Sequence, residues 1–362
     1  MLTRLFLTNF RSYPELEWSP DPDVNILIGA NGSGKTNLLE AAAYLSNLRS
    51  LRGAPDEALI AAGCESAVVR GSVARPASDA LIEIEINRKG PRRARLDGKS
   101  LHRTSDLLQT MRVVRFLPED LSIIKEGPVG RRDLFDEIAR QIWPSSLLDQ
   151  MEFERSLRQR NAFLKQGARD LDTLPVWDLR LAQAAGRVMS RRARAATVLA
   201  ASLATSYSQV AGRSTEVSLG YESDWGGSLD PSTPPGDWTA ALAAALERRR
   251  KVDLELRTTG TGPHRDDIVI RIGERPARHE ASQGEQRTLA LALRLASHRA
   301  ITDQVGESPV LLLDDVYSEL DPERASALSA ALPAAQIIIS TTRPEEVPLT
   351  GKPWRVEQGT VR

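Results

Sequence analysis

Cysteine is nearly absent from this chain of 362 residues: Cys64 stands alone, so no disulfide can close within it. That suits a reducing compartment. No apolar stretch reaches the roughly 18 residues that a membrane-spanning helix needs. The best run, Ala195 to Leu203, is short and interrupted by Thr197 and Ser202. The opening MLTRLFLTNF, broken by Arg4 and Asn9, lacks the apolar core of a signal peptide, and the expected location is the cytoplasm. There is no excess of charge: 48 basic residues face 48 acidic ones, so the sum announces no nucleic-acid partner, although a neutral sum can hide a basic face. Histidine is sparse, and His102, His264, His279 and His298 show no metal-ligand spacing. Lysine is scarce too, since only seven of the 48 basic residues are lysines. Arginine is the better bidentate phosphate partner, but a chain rich in Arg and Ala also fits a G+C-rich genome.

What is present suffices for a globular fold. Hydrophobic residues make up 41% of the chain, enough to bury a core, and the length suggests about two domains, or one large α/β unit with an insertion. Leu5 and Leu7 lie in a short alternating segment, and Val24 to Ile28 reads as a buried strand that ends at Gly29. Lys35 to Leu48 follows a helical period through Leu38, Leu39, Ala42 and Leu45. Residues 80–86 alternate as a strand, and Asp97-Gly98 signals a hairpin turn. From about Ser145 to Gln209 the pattern is helical and polar, with breaks at Gly167 and Leu174-Pro175. A turn-rich linker over 223–237 precedes a helix from Trp238 to about Glu255. The last hundred residues return to α/β, with strands at 268–272, 310–313 and 336–340 and a helix from Glu285 to about Ala300. The expected architecture is an α/β core interrupted by a largely helical insertion.

Residues 29–36, GANGSGKT, match the phosphate-binding pattern G-x-x-x-x-G-K-[ST] in full, with a buried strand entering and an amphipathic helix leaving. Glycines let backbone N–H groups converge on phosphate oxygens, and the helix N-terminus adds its positive end. The expected nucleotide contacts are Gly29, Ala30, Asn31, Gly32, Ser33, Gly34, Lys35, Thr36 and Asn37. Lys35 reaches the β- and γ-phosphates, and Thr36 places its hydroxyl on Mg²⁺. Residues 310–315, VLLLDD, form the matching acidic strand. There Asp314 is expected to hold Mg²⁺ opposite Thr36, and Asp315 to orient the attacking water. Asp315 is one methylene shorter than the Glu common at such positions, so slow hydrolysis is expected.

Further stretches carry a resemblance. Ser282-Gln283-Gly284-Glu285-Gln286 opens a helix where ATP-binding-cassette proteins carry their signature motif, and Ser318-Glu319-Leu320-Asp321 stands where their D-loop does. Asn9-Phe10-Arg11-Ser12-Tyr13, Leu117-Pro118-Glu119-Asp120-Leu121 with Arg131-Arg132, and Gly262-Pro263-His264-Arg265-Asp266 are more particular. Together these resemble the RecF family of bacterial recombination mediators. The resemblance implies an α/β, cassette-type P-loop ATPase head with mixed β-sheets, similar to the heads of structural-maintenance-of-chromosomes proteins and interrupted by a mainly helical arm. The expected division is 1–120 for the first part of the head, 121–258 for the arm, and 259–362 for the rest of the head with signature, acidic strand and D-loop.

The resemblance also implies a mechanism. ATP with Mg²⁺ would be sandwiched between two subunits, with Lys35 and Thr36 of one chain facing Ser282 and Gly284 of the other, so that ATP drives a homodimer. It implies binding of double-stranded DNA near junctions with single strands, weak DNA-dependent ATP hydrolysis, and work with RecR and RecO to promote RecA loading in recombinational repair and the SOS response. Where cassette proteins place a switch histidine, Thr341-Thr342 stands here, and Thr341 or Thr342 is assigned the γ-phosphate-sensing role. Glu119 stands where many cassettes place Gln, as a metal or water contact or as a plain loop carboxylate.

Candidates for DNA phosphate contact are Arg92 and Arg93 with Arg95, Arg131 and Arg132, the set Arg187, Arg191, Arg192 and Arg194, and Arg248 to Lys251. Positions 187, 191 and 194 share one helix face. Each such cluster is more often just a solvated face. No base-reading motif is present, so sequence-specific recognition is not expected. His264 has two open readings, structural support or a link between nucleotide and DNA. A rival function is the nucleotide-binding subunit of a membrane transporter; another is a clamp that binds ATP without hydrolysing it.

Overall fold

The computed structural model describes residues 1–76, 78–101, 103–166, 171–225 and 230–362. The expected break at Gly167, the middle of the 223–237 linker and His102 lie outside them.

The chain divides into two compact units, each assembled from separate segments. The first comprises Met1–Asp120, Thr205–Ser214 and Leu291–Arg362. Its antiparallel sheet has the order β2-β1-β4-β5-β6-β7, formed by β1 (Leu2–Phe10), β2 (Tyr13–Trp18), β4 (Ser66–Val73), β5 (Ala80–Asn87), β6 (Arg93–Leu96) and β7 (Lys99–Ser100). The β6–β7 hairpin turns through Asp97 and Gly98, both at positive φ, as its two-residue loop requires. A second, mixed sheet has the order β15-β14-β3-β13-β12-β8, with β3 (Val24–Ile28), β8 (Val113–Phe116), β12 (Val310–Asp314), β13 (Ile337–Thr341), β14 (Lys352–Glu357) and β15 (Thr360–Val361). Strands β8, β12, β13, β3 and β14 run parallel. Strands β12 and β13 are buried throughout, which is why VLLLD and IIIST read as unbroken apolar runs instead of alternating.

Helix α1 (Lys35–Asn47) buries Leu38, Leu39, Ala41, Ala42 and Leu45 in a core shared with Leu5, Leu7, Val69, Ile82 and Ile84 of the antiparallel sheet and Leu27, Leu312 and Ile338 of the mixed sheet. It ends at Leu48 in the left-handed conformation, whose N–H caps the Tyr44 carbonyl. The remaining helix contained in this unit's described segments after α2 (Ser105–Thr110) is α10 (Pro322–Ala331), started by Asp321, which accepts from the Arg324 N–H.

The second unit comprises Leu121–Ala204 and Thr215–Ala290. It contains α3 (Ser122–Lys125), α4 (Pro128–Ile142), α5 (Ser146–Lys165), most of α6 (Leu174–Ala211), α7 (Pro235–Leu256), α8 (Ala277–Glu280) and the first residues of α9 (Gln283–Val305). Its small sheet is ordered β11-β10-β9, with β9 (Val217–Glu222), β10 (Asp267–Ile272) and β11 (Arg275–Pro276). Leu181, Ala185, Val188 and Met189 of α6 pack with Trp238, Leu242 and Leu246 of α7. Helix α7 starts three residues earlier than the apolar pattern indicates, because Pro235 suits the first helical turn. Residues 259–290, expected with the ATPase head, pack in this second unit, which closes at Ala290 and not at 258.

Candidate nucleotide-binding site

The parallel register brings the two motifs together. Strand β13 lies between β3 and β12, pairing Thr341 with Ile28 on one side and Ser340 with Asp314 on the other. The phosphate-binding loop and the acidic pair therefore leave the carboxyl ends of strands separated by one neighbour, the usual place for a ligand in a parallel sheet.

The loop is closed by Ser33 N–H donating to the Ala30 carbonyl (3.2 Å) and by Gly29 N–H donating to the Thr341 carbonyl (3.3 Å). Gly34 has φ +112°, and a Cβ there would fall 2.8 Å from Ser12 Oγ, so glycine is required on both counts. The Tyr13 hydroxyl donates to the Gly34 carbonyl (3.0 Å), and Asn37 Nδ2 donates to Ser12 Oγ (2.9 Å). The NFRSY segment thus backs the loop. Lys35 Nζ donates to the carbonyls of Gly29 (2.6 Å) and Ala30 (2.9 Å). An ammonium has three donors, so one remains for an incoming oxygen. Burial lowers the Lys35 pKa, opposed by the nearby charges of Asp315 and Asp314.

Asp314 accepts from the Thr36 hydroxyl at 2.9 Å to each of its oxygens, and from the Ser340 hydroxyl at 2.5 Å. Asp315 follows at φ +49°, its N–H donating to the carbonyl and hydroxyl oxygens of Ser340, both at 3.1 Å. Its Oδ1 is buried and, among the described residues, has no hydrogen-bond partner. Lys35, Thr36, Arg52, Asp314, Asp315 and Ser340 line a cavity of about 280 Å³. Hard oxygen donors from Thr36 and Asp314 beside an orphaned carboxylate oxygen fit a magnesium ion, which takes one or two protein carboxylates and completes its shell with water and phosphate. No group of three or more His, Cys, Asp or Glu suited to a metal occurs among the described residues.

Two of these residues escape the sequence motifs. Ser340, not Thr341, presents the hydroxyl: Thr341 is buried with its Oγ1 bonded to the Arg343 carbonyl and amide, and it does not line the cavity. Thr341, expected at the γ-phosphate, is thus turned away from the cavity in this structure; an apolar run buried on both faces hides which hydroxyl points to the site. Arg52 reaches within 3.8 Å of Asp314 from the loop after α1, where no pattern marks it. Glu119 is exposed on a 3-10 turn. Its neighbour Asp120 instead anchors Arg294 through two bonds of 2.9 and 2.6 Å.

In the second unit, Ser282 and Glu285 cap α9 reciprocally: Ser282 N–H donates to Glu285 Oε2 (2.8 Å) and Glu285 N–H to Ser282 Oγ (3.2 Å). The exposed Ser282 hydroxyl accepts in this box and keeps its proton for a further acceptor. Gly284 lies in the first turn of that helix.

The arginine clusters separate. Arg131 is 4% exposed and bidentate to Asp267 (2.8 Å to each oxygen), so it supports the fold and cannot meet a DNA phosphate. Arg132 donates to the Asp266 carbonyl (2.9 Å). Arg187 is held by Asp149 and Glu152, which cancel its charge, and buried Arg192 by Asp136. Arg191 and Arg194 stack over Trp143 with their guanidinium carbons 5.2 and 4.8 Å from the ring centre. In the first unit Arg92 is tied to the Leu48 carbonyl and Asp56, whereas Arg93, 77% exposed, is paired only at 3.7 Å with Glu85. His264 Nε2 lies 3.1 Å from the Thr259 carbonyl, and burial lowers its pKa.

Fold and site define a cassette-type P-loop ATPase head. Residues 1–360 match the family model described as the RecF/RecN/SMC N terminal domain, and the chain belongs to the RecF family. It is 38% identical over 366 residues to the DNA replication and repair protein RecF of Acidothermus cellulolyticus, covering 99% of this chain and 98% of that one. Its identity to the RecF of Streptomyces avermitilis is 37%, covering 99% of each. Among solved structures, the recombination mediator protein RecF-ATPrS of the RecFOR pathway superposes with a TM-score of 0.92 at 30% identity, covering all of this chain and 97% of that one. An Smc head bound to the C-winged helix domain of ScpA shares the fold, with a TM-score of 0.58 at 17% identity over the whole chain and 96% of its counterpart. No helix among the described residues is long and apolar enough to cross a membrane.

Proposed function

We propose that the chain is an ATP-binding DNA repair protein that closes as a dimer on duplex DNA near single-strand junctions and hydrolyses ATP slowly. The observation that carries this reading is the Thr36–Asp314–Ser340 bond network facing Lys35, with the Asp315 carboxylate oxygen left open beside it. ATP with Mg²⁺ supplies the triphosphate and the cation that neutralises it. Loop N–H groups and the remaining Lys35 donor then bind and orient phosphate oxygens. Thr36 and Asp314 hold the cation, and Asp315 orients water for attack. Arg52 is placed to add positive charge above Asp314. Ser282 and Gly284 of a second copy would complete the site, which makes nucleotide binding favour the dimer. Arg93, Arg132, Arg191 and Arg194 are among the candidates for DNA phosphates, and RecR with RecO the partners for RecA loading, in line with relatives of the RecFOR pathway. The reading as a clamp without hydrolysis rests on the short reach of Asp315.

Sedimentation with and without ATP-Mg²⁺, repeated with a tailed duplex, tests the proposal. Conversion of monomer to a DNA-carrying dimer is expected. Lys35→Met should abolish both nucleotide binding and dimerisation; unchanged ATP affinity in that variant refutes the assignment of the loop.

A further inference from the structure

A carboxylate that the nucleotide contacts leave unused lies beneath the site. Glu40 stands on α1 one turn beyond Thr36 and is 2% exposed. A buried carboxylate is retained only when charge and hydrogen bonds compensate its lost hydration. Its two oxygens are compensated from two different segments. Oε1 accepts from the Ser50 hydroxyl, in a short bond, and Oε2 accepts from Arg11 Nε at 2.8 Å. Ser50 Oγ in turn accepts from the Arg52 N–H at 3.2 Å, and Leu51 beside it is buried, its carbonyl accepting from Arg115 at 2.8 Å. Arg52 itself is half exposed and hangs over Asp314. On the opposite wall, Arg11 sits at φ +52° and also donates to the Ala58 carbonyl at 2.7 Å. The next residue, Ser12, meets Asn37 and packs on Gly34.

We propose that Glu40 is a positioning residue for the nucleotide site: through Ser50 it fixes the loop that carries Arg52 above Asp314, and through Arg11 it fixes the segment behind the phosphate-binding loop. The inference rests on the nucleotide-site reading and deepens it. A long, half-exposed arginine loses little entropy at a site only if its backbone is already held. Glu40 supplies that hold from within the core, at a place the nucleotide does not touch.

The test is a double-mutant cycle in the full chain, reading ATP turnover and the affinity for a fluorescent ATP. Arg52→Ala is expected to lower kcat/KM by about tenfold or more, the scale of losing one hydrogen bond to a charged group. Ser50→Ala should lower it several-fold, and by no more than about twofold once Arg52→Ala is present, because it acts through Arg52; Glu40→Gln should lower it several-fold and keep part of its effect in that background, through Arg11. Ser50→Thr keeps the hydroxyl and should restore most of the loss. Ser50→Ala keeps the Glu40–Arg11 pair, so it serves if Glu40→Gln does not fold. Ser50→Ala and Arg52→Ala effects that multiply in the double variant, or a Ser50→Thr protein as impaired as Ser50→Ala, overturn the inference. Lys35→Met is measured in parallel. If it binds nucleotide normally, the site reading itself fails; if it loses binding while the Ser50 and Arg52 effects multiply, only the role of Glu40 fails.

Discussion

Single side chains show how neighbouring positions with like chemistry are put to different use. Asp314 accepts from two hydroxyls, whereas Asp315, one residue on and in the left-handed region, keeps one oxygen unpaired among the described residues. His298 is likewise built into one state. It lies buried on α9 with Nε2 3.0 Å from the Pro309 carbonyl, and burial pushes its pKa down to about 4. A histidine whose folded pKa is depressed binds protons better when unfolded, so its contribution is present above the unfolded value of about 6.5 and is lost as pH falls toward 4. The loss reaches about 2 kcal/mol at pH 5. His298→Gln should therefore show a smaller fall in Tm between pH 7 and pH 5 than the parent chain, measured by calorimetry; an equal fall would show that other groups set the acid limit.

Elements are joined by charges that no local pattern connects. Arg160 on α5 is fully buried, donating to Asp178 on α6 (2.8 Å), Asp253 on α7 (2.8 Å) and Thr259 (2.8 Å). Arg250 shares Asp178 at 2.6 Å, and the Gly260 N–H shares Asp253 at 3.1 Å. Removing one member of a buried ion network strands the others in a poor solvent. Arg160→Met should destabilise the second unit by about 3 kcal/mol, seen as a lower Tm and as faster proteolysis between residues 121 and 290. Cleavage and Tm unchanged from the parent would show that Arg250 on Asp178 and Arg249, 3.4 Å from Asp253, suffice. Helix periods and strand alternation placed α5, α6 and α7 to within a few residues, but they carried no sign of this clamp, because its partners stand 18 and 93 residues apart.

For the molecule as a whole, the division into units matters most for the signature. Residues 282–284 open α9 in the second unit, while the phosphate-binding loop and acidic strand belong to the first. Ser282 is already held as a helix cap with its proton to spare. Ser282→Arg should leave ATP binding to a single chain intact and block the ATP-dependent dimer in sedimentation; a variant that still dimerises refutes the role proposed for it across two copies. The capping loss itself should cost no more than about 1–2 kcal/mol, leaving the fold intact.

The phosphate-binding loop, the acidic strand, strands β1, β3, β5, β10 and β13 and the helix of the signature were legible in the chain because each rests on short-range spacing: glycines where backbone must converge, apolar runs where strands are covered on both faces. Position in space was not. Ser340 instead of Thr341, Arg52 above Asp314, Glu40 beneath the loop and Arg131 spent on Asp267 were settled only by packing. A strand buried on both faces conceals which side chain meets the ligand, and an arginine's charge has the same letter whether it waits for a phosphate or lies neutralised against a carboxylate brought to it by the fold.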